Sequence, residues 1–360
     1  MMKKDWYLSP AQAIDTTAAD GAKIRQAQLT KPQGSLGELE ELAIKFAGWQ
    51  GNVIPQCKKV LVRVFAGDHG ICKDRVDDDG VKLANVSAFP QSVTSQMIHN
   101  FVNGGAAISV LAKQLNADFA VVNMGTAEPI KLTSPHLVTH QLMNGTNDFT
   151  QEPAMSEGVL LQALQAGREQ VVDQHVDLFI GGEMGIGNTT SAAAIYSLLM
   201  KVGPEATVGG GTGVDKAGIA IKRKVIYQAI NRHGELLETP LNILQHVGGL
   251  EIAALVGAII AAAQRGTPVL VDGFICTAAA LLAIKVNPSV RQWLLFSHKS
   301  AEKAHAKALI ELEARPLLDL NMRLGEGSGS GVAVSLIQSA LALHAQMATF
   351  EEASISNKKN

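Results

Sequence analysis

The clearest pattern along the chain is a set of short apolar runs, each followed within a few positions by glycine. Runs of this length that are rich in β-branched residues and show no polar alternation are typical of strands buried on both faces, as in a parallel sheet. We therefore predict four buried strands, at residues 60–65, 119–124, 176–180 and 268–272.

Alanine-rich segments with helical periodicity lie between these runs. Strands that alternate with helices indicate βαβ units. The pattern therefore predicts an α/β fold, with a mainly parallel sheet and helices on both of its faces. The predicted helices cover residues 105–114, 157–172, 189–200, 219–231 and 249–263.

The two ends of the chain differ from the middle, because they have helical periodicity without strand signals. Ser9 is a suitable N-cap before Pro10, and we expect the terminal helices to pack together. The predicted terminal helices cover residues 9–29, 35–49 and 331–347. The predicted organisation is a small helical domain (1–50 with 331–350), an α/β domain (51–330) and a frayed tail (351–360).

Composition and charge exclude several classes of protein. Of the 360 residues, 47% are hydrophobic and 18% are charged, below the roughly 25% of an average soluble protein, so a large core can form. A net charge of −2 and 4% aromatic residues argue against nucleic-acid binding. The longest uncharged apolar run, residues 252–263, is too short for a bilayer core of roughly 30 Å, and residues 1–12 lack a signal peptide. We expect a cytoplasmic protein that binds neither nucleic acid nor membrane.

Metal chemistry has little support in the sequence. The cysteines Cys57, Cys72 and Cys276 form no CxxC pair, which argues against a zinc ribbon and a disulfide framework. Phosphoribosyltransferases that use a diphosphate donor have two adjacent acids after a strand, whereas the strand at 268–272 offers only Asp272. We therefore predict neither a metal nor a magnesium-diphosphate mechanism.

The histidines are expected to be structural. Asp68 and His69, in the segment 66–71 (AGDHGI), are candidates for binding a metal or orienting a substrate. No second histidine lies at ligand spacing, and no HExxH motif occurs, so His69 is predicted to be a hydrogen-bonding structural residue. His298 and His305 lie seven positions apart, which would put them on one face if this segment were helical.

The first candidate site is the glycine-rich segment 181–190 (GGEMGIGNTT), between a predicted strand and a predicted helix. Ligands of open parallel sheets bind at the carboxyl ends of strands, and a helix N-terminus there suits a phosphate. Asn188, Thr189 and Thr190 would add side-chain donors. The alternative is a plain strand–turn–helix connection with a cap.

A second candidate is the segment 209–213 (GGGTG), followed by a helix that carries Lys222. It is either a second anion cradle with Lys222 reaching back, or a flexible loop with Lys222 on a solvated face. Neither this segment nor 181–190 matches a Rossmann fingerprint or a Walker A motif, which argues against a dinucleotide-dependent dehydrogenase.

A third candidate is the segment 324–331 (LGEGSGSG), in which Glu326 lies between two glycines. Glycines allow a close approach of the backbone to a ligand, and a carboxylate there is a candidate general base. The alternative, which the residues alone favour, is a solvated acid in a turn.

Together these segments resemble the nicotinate-nucleotide:dimethylbenzimidazole phosphoribosyltransferase family of cobalamin synthesis. The similarity covers nearly the whole chain, with several motifs in the same order. The motifs are LTKPQGSLG (29–37), AGDHGI (66–71), GTNDFTQEPAM (145–155), GGEMGIGNTTSAA (181–193), GGGTGVDKAG (209–218), VDGFICTAAAL (271–281), SHKSAE (297–302) and RLGEGSGSG (323–331).

The resemblance implies a fold and a reaction. The family fold is a Rossmann-like nucleotide-binding domain with a small helical domain formed by both chain ends. The family moves 5-phosphoribose from nicotinate mononucleotide to 5,6-dimethylbenzimidazole, giving alpha-ribazole 5'-phosphate and nicotinate with inversion at C1′. The donor carries a cationic leaving group, so no metal or other cofactor is implied. Family members are homodimers whose site is completed by the partner subunit.

The resemblance also assigns roles to individual residues. It implies that Glu326 is the catalytic base, which reverses the preference drawn from spacing alone. The implied nucleotide-binding residues are Glu183, Gly185, Gly187, Asn188, Thr189, Gly211, Thr212, Gly213, Lys222 and Gly273. The implied base-binding residues are Gln96, Met184 and Leu324.

Three departures from the family pattern keep the acceptor open. These are an acidic insertion at 72–79, Asn123 in place of an aspartate, and Lys216 in place of an acid. Adenine, another benzimidazole or a phenol is an alternative acceptor. A catalytically idle nucleotide-binding paralogue is the competing hypothesis.

Overall fold

The computed structural model describes residues 5–73, 85–210 and 213–356. In these ranges the chain forms a parallel sheet with helices packed against it. The strands are β1 (Val60–Gly67), β2 (Asp118–Gly125), β3 (Leu137–Thr139), β4 (Leu178–Met184), β5 (Val269–Val271), β6 (Leu294–His298) and β7 (Pro316–Leu318). The helices are α1 (Thr16–Gln28), α2 (Glu38–Gln50), α3 (Ser92–Val102), α4 (Ala107–Gln114), α5 (Glu157–Glu169), α6 (Asn188–Leu199), α7 (Pro204–Thr207), α8 (Lys216–His233), α9 (Pro240–Val247), α10 (Leu250–Gln264), α11 (Phe274–Val286), α12 (His305–Glu311) and α13 (Ser328–Gln346).

The order of strands in the sheet is β3-β2-β1-β4-β5-β6-β7, and every neighbouring pair is parallel. This order reverses direction between β1 and β4, and such a switch point is where open α/β sheets bind ligands. Ala66 pairs with Met184, so the carboxyl ends of the two strands lie side by side. The predicted α/β class with a Rossmann-like parallel sheet is confirmed.

The four predicted strands form within a few residues of their predicted bounds, but the sequence analysis missed three others. Strands β3 and β7 are edge strands of three residues, too short to give a periodic signal. Strand β6 follows a 3-10 helix directly, and the polar pair Ser297 and His298 ends it. Helices α3 and α11 were not predicted either.

The N-terminal helix begins later than predicted, and Ser9 is not its N-cap. Helix α1 starts at Thr16, where the Asp15 carboxylate accepts a hydrogen bond of 2.9 Å from the Ala18 N–H. The preceding residues are not helical, because their N–H groups bond elsewhere. Ala11 donates to the Ser289 hydroxyl at 2.8 Å, and Gln12 donates to a carbonyl of α10 at 3.1 Å.

The two chain ends lie together. Helix α2 packs against both α1 and α13, and Leu29 pairs with Thr349 in an isolated antiparallel bridge. Helix α13 also packs against α4 and β6. A separate helical domain of residues 1–50 and 331–350 stays a prediction. Residues 351–356 are exposed, and the remainder of the predicted tail lies outside the described residues.

Close packing of helices depends on glycine at particular points. Helices α5 and α10 cross so closely that a Cβ at Gly167 would overlap the Ala254 carbonyl, and one at Gly257 would overlap the Leu164 carbonyl. The apolar run within α10 is buried almost throughout. In the described ranges, no helix combines the length and apolarity needed to cross a bilayer.

Candidate active site

A cavity of about 330 Å³ opens at the carboxyl ends of β4, β5 and β6, beside the switch point. This volume lies at the lower end of the range of roughly 300–1,000 Å³ that is usual for small-molecule sites. Its walls come from α3, the first glycine-rich segment, the start of α11 and the segment before α13. The three carboxylates that matter below, Glu183, Asp272 and Glu326, all line it.

The first glycine-rich segment forms one wall of the cavity. Glu183 is near the end of β4, and α6 starts at Asn188 after Gly187, whose φ is +102°. The Asn188 amide donates a hydrogen bond to Glu183 Oε2. Burial raises the pKa of Glu183 well above its ordinary value, and the negative charges of Asp272 and Glu251 act in the same direction. The site therefore opposes ionisation of Glu183.

Glu326 lies in a turn that we call the glycine turn (residues 325–327). Gly325, Glu326 and Gly327 have φ values of +87°, +66° and +88°, in the left-handed region where only glycine is free of strain. The turn lies directly on β4, because a Cβ at Gly182 would overlap the Glu326 carbonyl. Tertiary packing therefore holds Glu326 at the cavity rather than in solvent, and 7% of its surface is exposed.

The environment of Glu326 suits proton transfer near neutral pH. Burial is the main cause that raises the pKa of Glu326 to about 7; a hydrogen bond from the Ile108 N–H opposes it, and the charge of Asp272 adds a smaller increase. Glu326 Oε2 is buried and has no hydrogen-bond partner among the described residues. A carboxylate with a free oxygen and a pKa near the working pH has the properties of an efficient general base.

Lys222 is buried and reaches the first glycine-rich segment, so it does not lie on a solvated face. Its Nζ donates a hydrogen bond of 3.0 Å to the hydroxyl of Thr189, which lines the cavity. Burial lowers the pKa of Lys222, and the charges of Glu302 and Cys72 oppose this change. The arrangement brings a cation and a hydroxyl donor to the same point.

The second glycine-rich segment borders an adjacent depression. Gly213 lies there with Arg223 and Lys303, whereas Gly211 and Thr212 fall outside the described residues. Glu302 and Arg323 border both this depression and the main cavity. Sequence reasoning missed Arg323, although it directly precedes the third glycine-rich segment.

The apolar part of the cavity agrees only partly with the sequence prediction. Met184 and Leu324 line it, but Gln96 is exposed on α3 and is not in the lining. Val93 and Met97 line the cavity instead, from positions four apart on the same helix. That apolar spacing is the signal that could have identified them from the sequence.

The other predicted site residues have clear positions. Gly185, Asn188, Thr189 and Gly273 line the cavity, and Gly187 caps the helix beside it. Sequence analysis gave no binding role to Asp272, His298 or Ser300, which also line the cavity.

The histidines take different positions from one another. His69 Nε2 lies 2.7 Å from Glu251 Oε1, and both side chains are fully buried, which fits a hydrogen-bonding structural residue. His298 ends β6 and His305 starts α12, so the two do not share a helix. No cluster of three or more His, Cys, Asp or Glu side chains suited to a metal occurs in the part of the chain that the structure describes.

Comparisons with known proteins agree on one family. A family model described as Phosphoribosyltransferase matches residues 11–355. The nicotinate-nucleotide–dimethylbenzimidazole phosphoribosyltransferases of Pseudomonas putida strain F1 and Azotobacter vinelandii strain DJ are each 50% identical to this chain, over 99% of both sequences. The crystal structure of the enzyme of that name from Thermus thermophilus aligns with a TM-score of 0.86 at 39% identity. That alignment covers 96% of this chain and 100% of the other.

Proposed function

This chain belongs to the nicotinate-nucleotide–dimethylbenzimidazole phosphoribosyltransferase family of enzymes, and we propose that it moves 5-phosphoribose from nicotinate mononucleotide to 5,6-dimethylbenzimidazole. The products are alpha-ribazole 5'-phosphate and nicotinate. The observation that carries the proposal is Glu326, a buried carboxyl at the cavity with a pKa of about 7 and with one oxygen that has no hydrogen-bond partner among the described residues.

The proposed step needs one proton acceptor. The bond from C1′ to the pyridinium nitrogen breaks, and its electron pair returns to the ring, which leaves as nicotinate. The unprotonated ring nitrogen of the acceptor forms the new bond to C1′ from the opposite face, so the configuration inverts. The proton on the acceptor's other nitrogen passes to Glu326. General-base help of this kind contributes about 10²–10⁴ in rate.

The donor would be held by the two glycine-rich segments. A phosphate is well matched to the N-terminus of α6 and to the buried ammonium of Lys222 beside Thr189. Glu183, whose ionisation burial opposes, would act as a hydrogen-bonding group toward the ribose. The proposed nucleotide-binding set is Glu183, Gly185, Gly187, Asn188, Thr189, Gly213, Lys222 and Gly273, with Gly211 and Thr212 outside the described residues.

The acceptor would lie between Met184 and Leu324. Val93 and Met97 add apolar wall from the helix that also carries Gln96, the third predicted base-binding residue. Methionine side chains adapt to flat aromatic groups, so this wall suits a dimethylated bicycle.

We also propose that the enzyme works in the cytoplasm as a homodimer. Phe89 and Leu324 are 47% and 59% exposed at the cavity, so large apolar surface there is available to a partner subunit. Light scattering coupled to size-exclusion chromatography would measure twice the monomer mass if the proposal is right.

The direct test is formation of nicotinate from nicotinate mononucleotide and dimethylbenzimidazole without added magnesium. We expect Glu326→Gln to lower turnover at least about a hundredfold while binding of the donor is retained. Glu351→Gln, at an exposed position, is the matched control. Products of a panel with adenine, other benzimidazoles and phenols would identify the acceptor by mass spectrometry. Donor binding without turnover on any acceptor would instead indicate an idle paralogue.

A further inference from the structure

We propose that Asp272 is a positioning residue for Glu326: it fixes the glycine turn in place, and its charge moves the pH range in which Glu326 works upward. This inference rests on the proposed function of Glu326 as the base. Asp272 comes directly after β5, is 1% exposed and lines the cavity.

The Asp272 carboxylate accepts two hydrogen bonds from the backbone around the start of α13. Its Oδ2 accepts from the Gly327 N–H at 3.2 Å, and its Oδ1 accepts from the Ser330 N–H at 2.9 Å. Helix α13 starts at Ser328 and has Gly327 at its N-cap, which offers no side chain to cap the helix. The first N–H groups of a helix need an acceptor, and a carboxylate also matches the positive end of the helix dipole. Asp272 supplies this cap from a different element.

The Asp272 cap fixes the position of Glu326 because the capped residue, Gly327, belongs to the glycine turn. Gly327 donates to Asp272 and is the residue directly after Glu326. On the other side, the turn lies against the backbone of Gly182 in β4. Glu326 has a φ of +66°, a conformation that costs a non-glycine residue roughly 1–2 kcal/mol. The contacts on both sides hold the turn in that conformation.

A further hydrogen bond joins helix α13 to strand β5. The Ser330 hydroxyl donates to the Leu270 carbonyl in β5 at 3.1 Å. A Cβ at Gly329 would overlap the ring of His298, so the start of α13 lies close against β6 as well. The first turn of α13 is therefore held against β5 and β6, and Asp272 accepts two of the hydrogen bonds that hold it.

Asp272 also acts on Glu326 through its negative charge. Asp272 is a negative group at the same cavity as Glu326, and its charge opposes ionisation of Glu326. His298 Nε2 lies 3.6 Å from Asp272 Oδ1, too far for a strong hydrogen bond. The other charged or titratable groups around the pair are Glu183 of β4, Glu251 of α10, Cys276 of α11, Glu302 and Arg323 of the cavity rim, and His305 of α12.

The two roles can be separated with two substitutions. Asp272→Asn removes the charge and leaves only one acceptor for the two N–H groups. We expect kcat to fall at least tenfold, and the acidic limb of the kcat/KM pH profile to move to lower pH by roughly 0.5–1 unit. Asp272→Glu keeps the charge but places it one methylene further out. We expect its limb to stay at the wild-type pH while kcat falls at least fivefold.

The matched control is Asp15→Ala, which removes the capping side chain of α1 far from the cavity. We expect it to lower the midpoint of urea unfolding without moving the pH profile. A cap with a merely structural role would give Asp272→Asn the same behaviour.

The outcomes also distinguish this inference from the proposed function. If Glu326→Gln keeps wild-type turnover, the proposed function fails. If Glu326→Gln is inactive but Asp272→Asn keeps the wild-type limb and kcat, only the present inference is overturned. Should Asp272→Asn not fold, Asp272→Glu decides the positioning role, since wild-type kcat in that variant would contradict it.

Discussion

Replacing Glu326 with glutamine is expected to stabilise the protein at alkaline pH and to change its stability little at acidic pH. Burial raises the pKa of Glu326 to about 7 from an ordinary value of 4.5. Between these two values the folded state holds a proton that the unfolded state has released. The free energy of unfolding therefore falls as pH rises through this range, and the full cost is present above about pH 7.

The structure sets the size of this effect. The difference between 4.5 and about 7 corresponds to an upper limit of about 3 kcal/mol, at 1.36 kcal/mol for each unit of pKa. The carboxyl borders a cavity that admits water, so solvent screens part of the cost, and we expect about 1–2 kcal/mol. Glutamine has nearly the same shape as glutamic acid and is neutral at every pH. The variant is therefore more stable than the wild type only at pH values where Glu326 of the wild type is ionised.

Urea unfolding of the wild type, Glu326→Gln and the exposed control Glu351→Gln would measure the effect at about pH 5 and about pH 8.5. We expect the first variant to exceed the wild type by about 1–2 kcal/mol at the higher pH only, and the control to match the wild type at both. An equal difference at the two pH values would refute the reasoning, since it would mean that Glu326 does not ionise in a buried site. Stability gained as activity is lost is the expected property of a functional residue.

Three further predictions concern other parts of the site. Burial lowers the pKa of His305 to about 4, so the contribution of His305 to the free energy of unfolding should fall by up to about 3 kcal/mol as pH drops from about 6.5 to about 4, opposite in sign to that of Glu326. In urea unfolding over this range, His305→Asn should lose less stability than the wild type, whereas the exposed control His99→Asn should lose as much as the wild type. Lys222→Met should raise the KM for nicotinate mononucleotide at least about tenfold with a smaller change in kcat. The reason is the lost hydrogen bond between the Lys222 ammonium and the phosphate, since a charged hydrogen bond is worth about 1.5–3 kcal/mol. An unchanged KM in steady-state kinetics would contradict this prediction. Gly182→Ala should lower kcat at least about tenfold, because the added Cβ would displace the glycine turn. Gly158→Ala is the control: this exposed helical position has room for a Cβ, so the variant should keep the wild-type kcat.

The fold could be predicted from the sequence where the burial pattern is long enough to be periodic. The central strands β1, β2 and β4 and the long helix α10 have continuous apolar runs, and each formed close to its predicted bounds. The edge strands β3 and β7 have three residues each and depend on hydrogen bonds to a neighbouring strand that is distant in sequence. The local sequence pattern does not indicate such pairing, so β3 and β7 could not be predicted from it.

The start of α1 shows the same limit for a helix end. Ser9 and Pro10 have the right local chemistry to begin a helix. Competing acceptors from α10 and Ser289 take the N–H groups of the next residues, and the helix starts at Thr16. Tertiary hydrogen bonds therefore override a local cap signal.

The candidate site could be predicted as a set of motifs but not as an environment. The glycine-rich segments are visible in the sequence, whereas the reason that Glu326 is not a solvated turn acid is the packing of its turn on Gly182, a residue 144 positions earlier. Lys222 follows the same rule, since its neighbours in sequence are Arg223 and Lys224 but its ammonium is buried beside Thr189. Spacing alone could not distinguish either residue from a surface charge.

Three of the carboxyl groups that line the cavity, Asp272, Glu183 and Glu326, differ in their partners, and this difference assigns their roles. Asp272 accepts hydrogen bonds from two backbone N–H groups, so both of its oxygens are occupied. Glu183 is buried and bonded to Asn188, and burial raises its pKa well above the ordinary value. Of the three, only Glu326 has a pKa of about 7 together with an oxygen that has no partner within the described part of the chain. Carboxyl groups that share a site but differ in environment take different acid–base roles. Proton abstraction from the acceptor therefore falls to Glu326, and a substitution at Glu183 should affect binding of the donor more than the acidic limb of the pH profile.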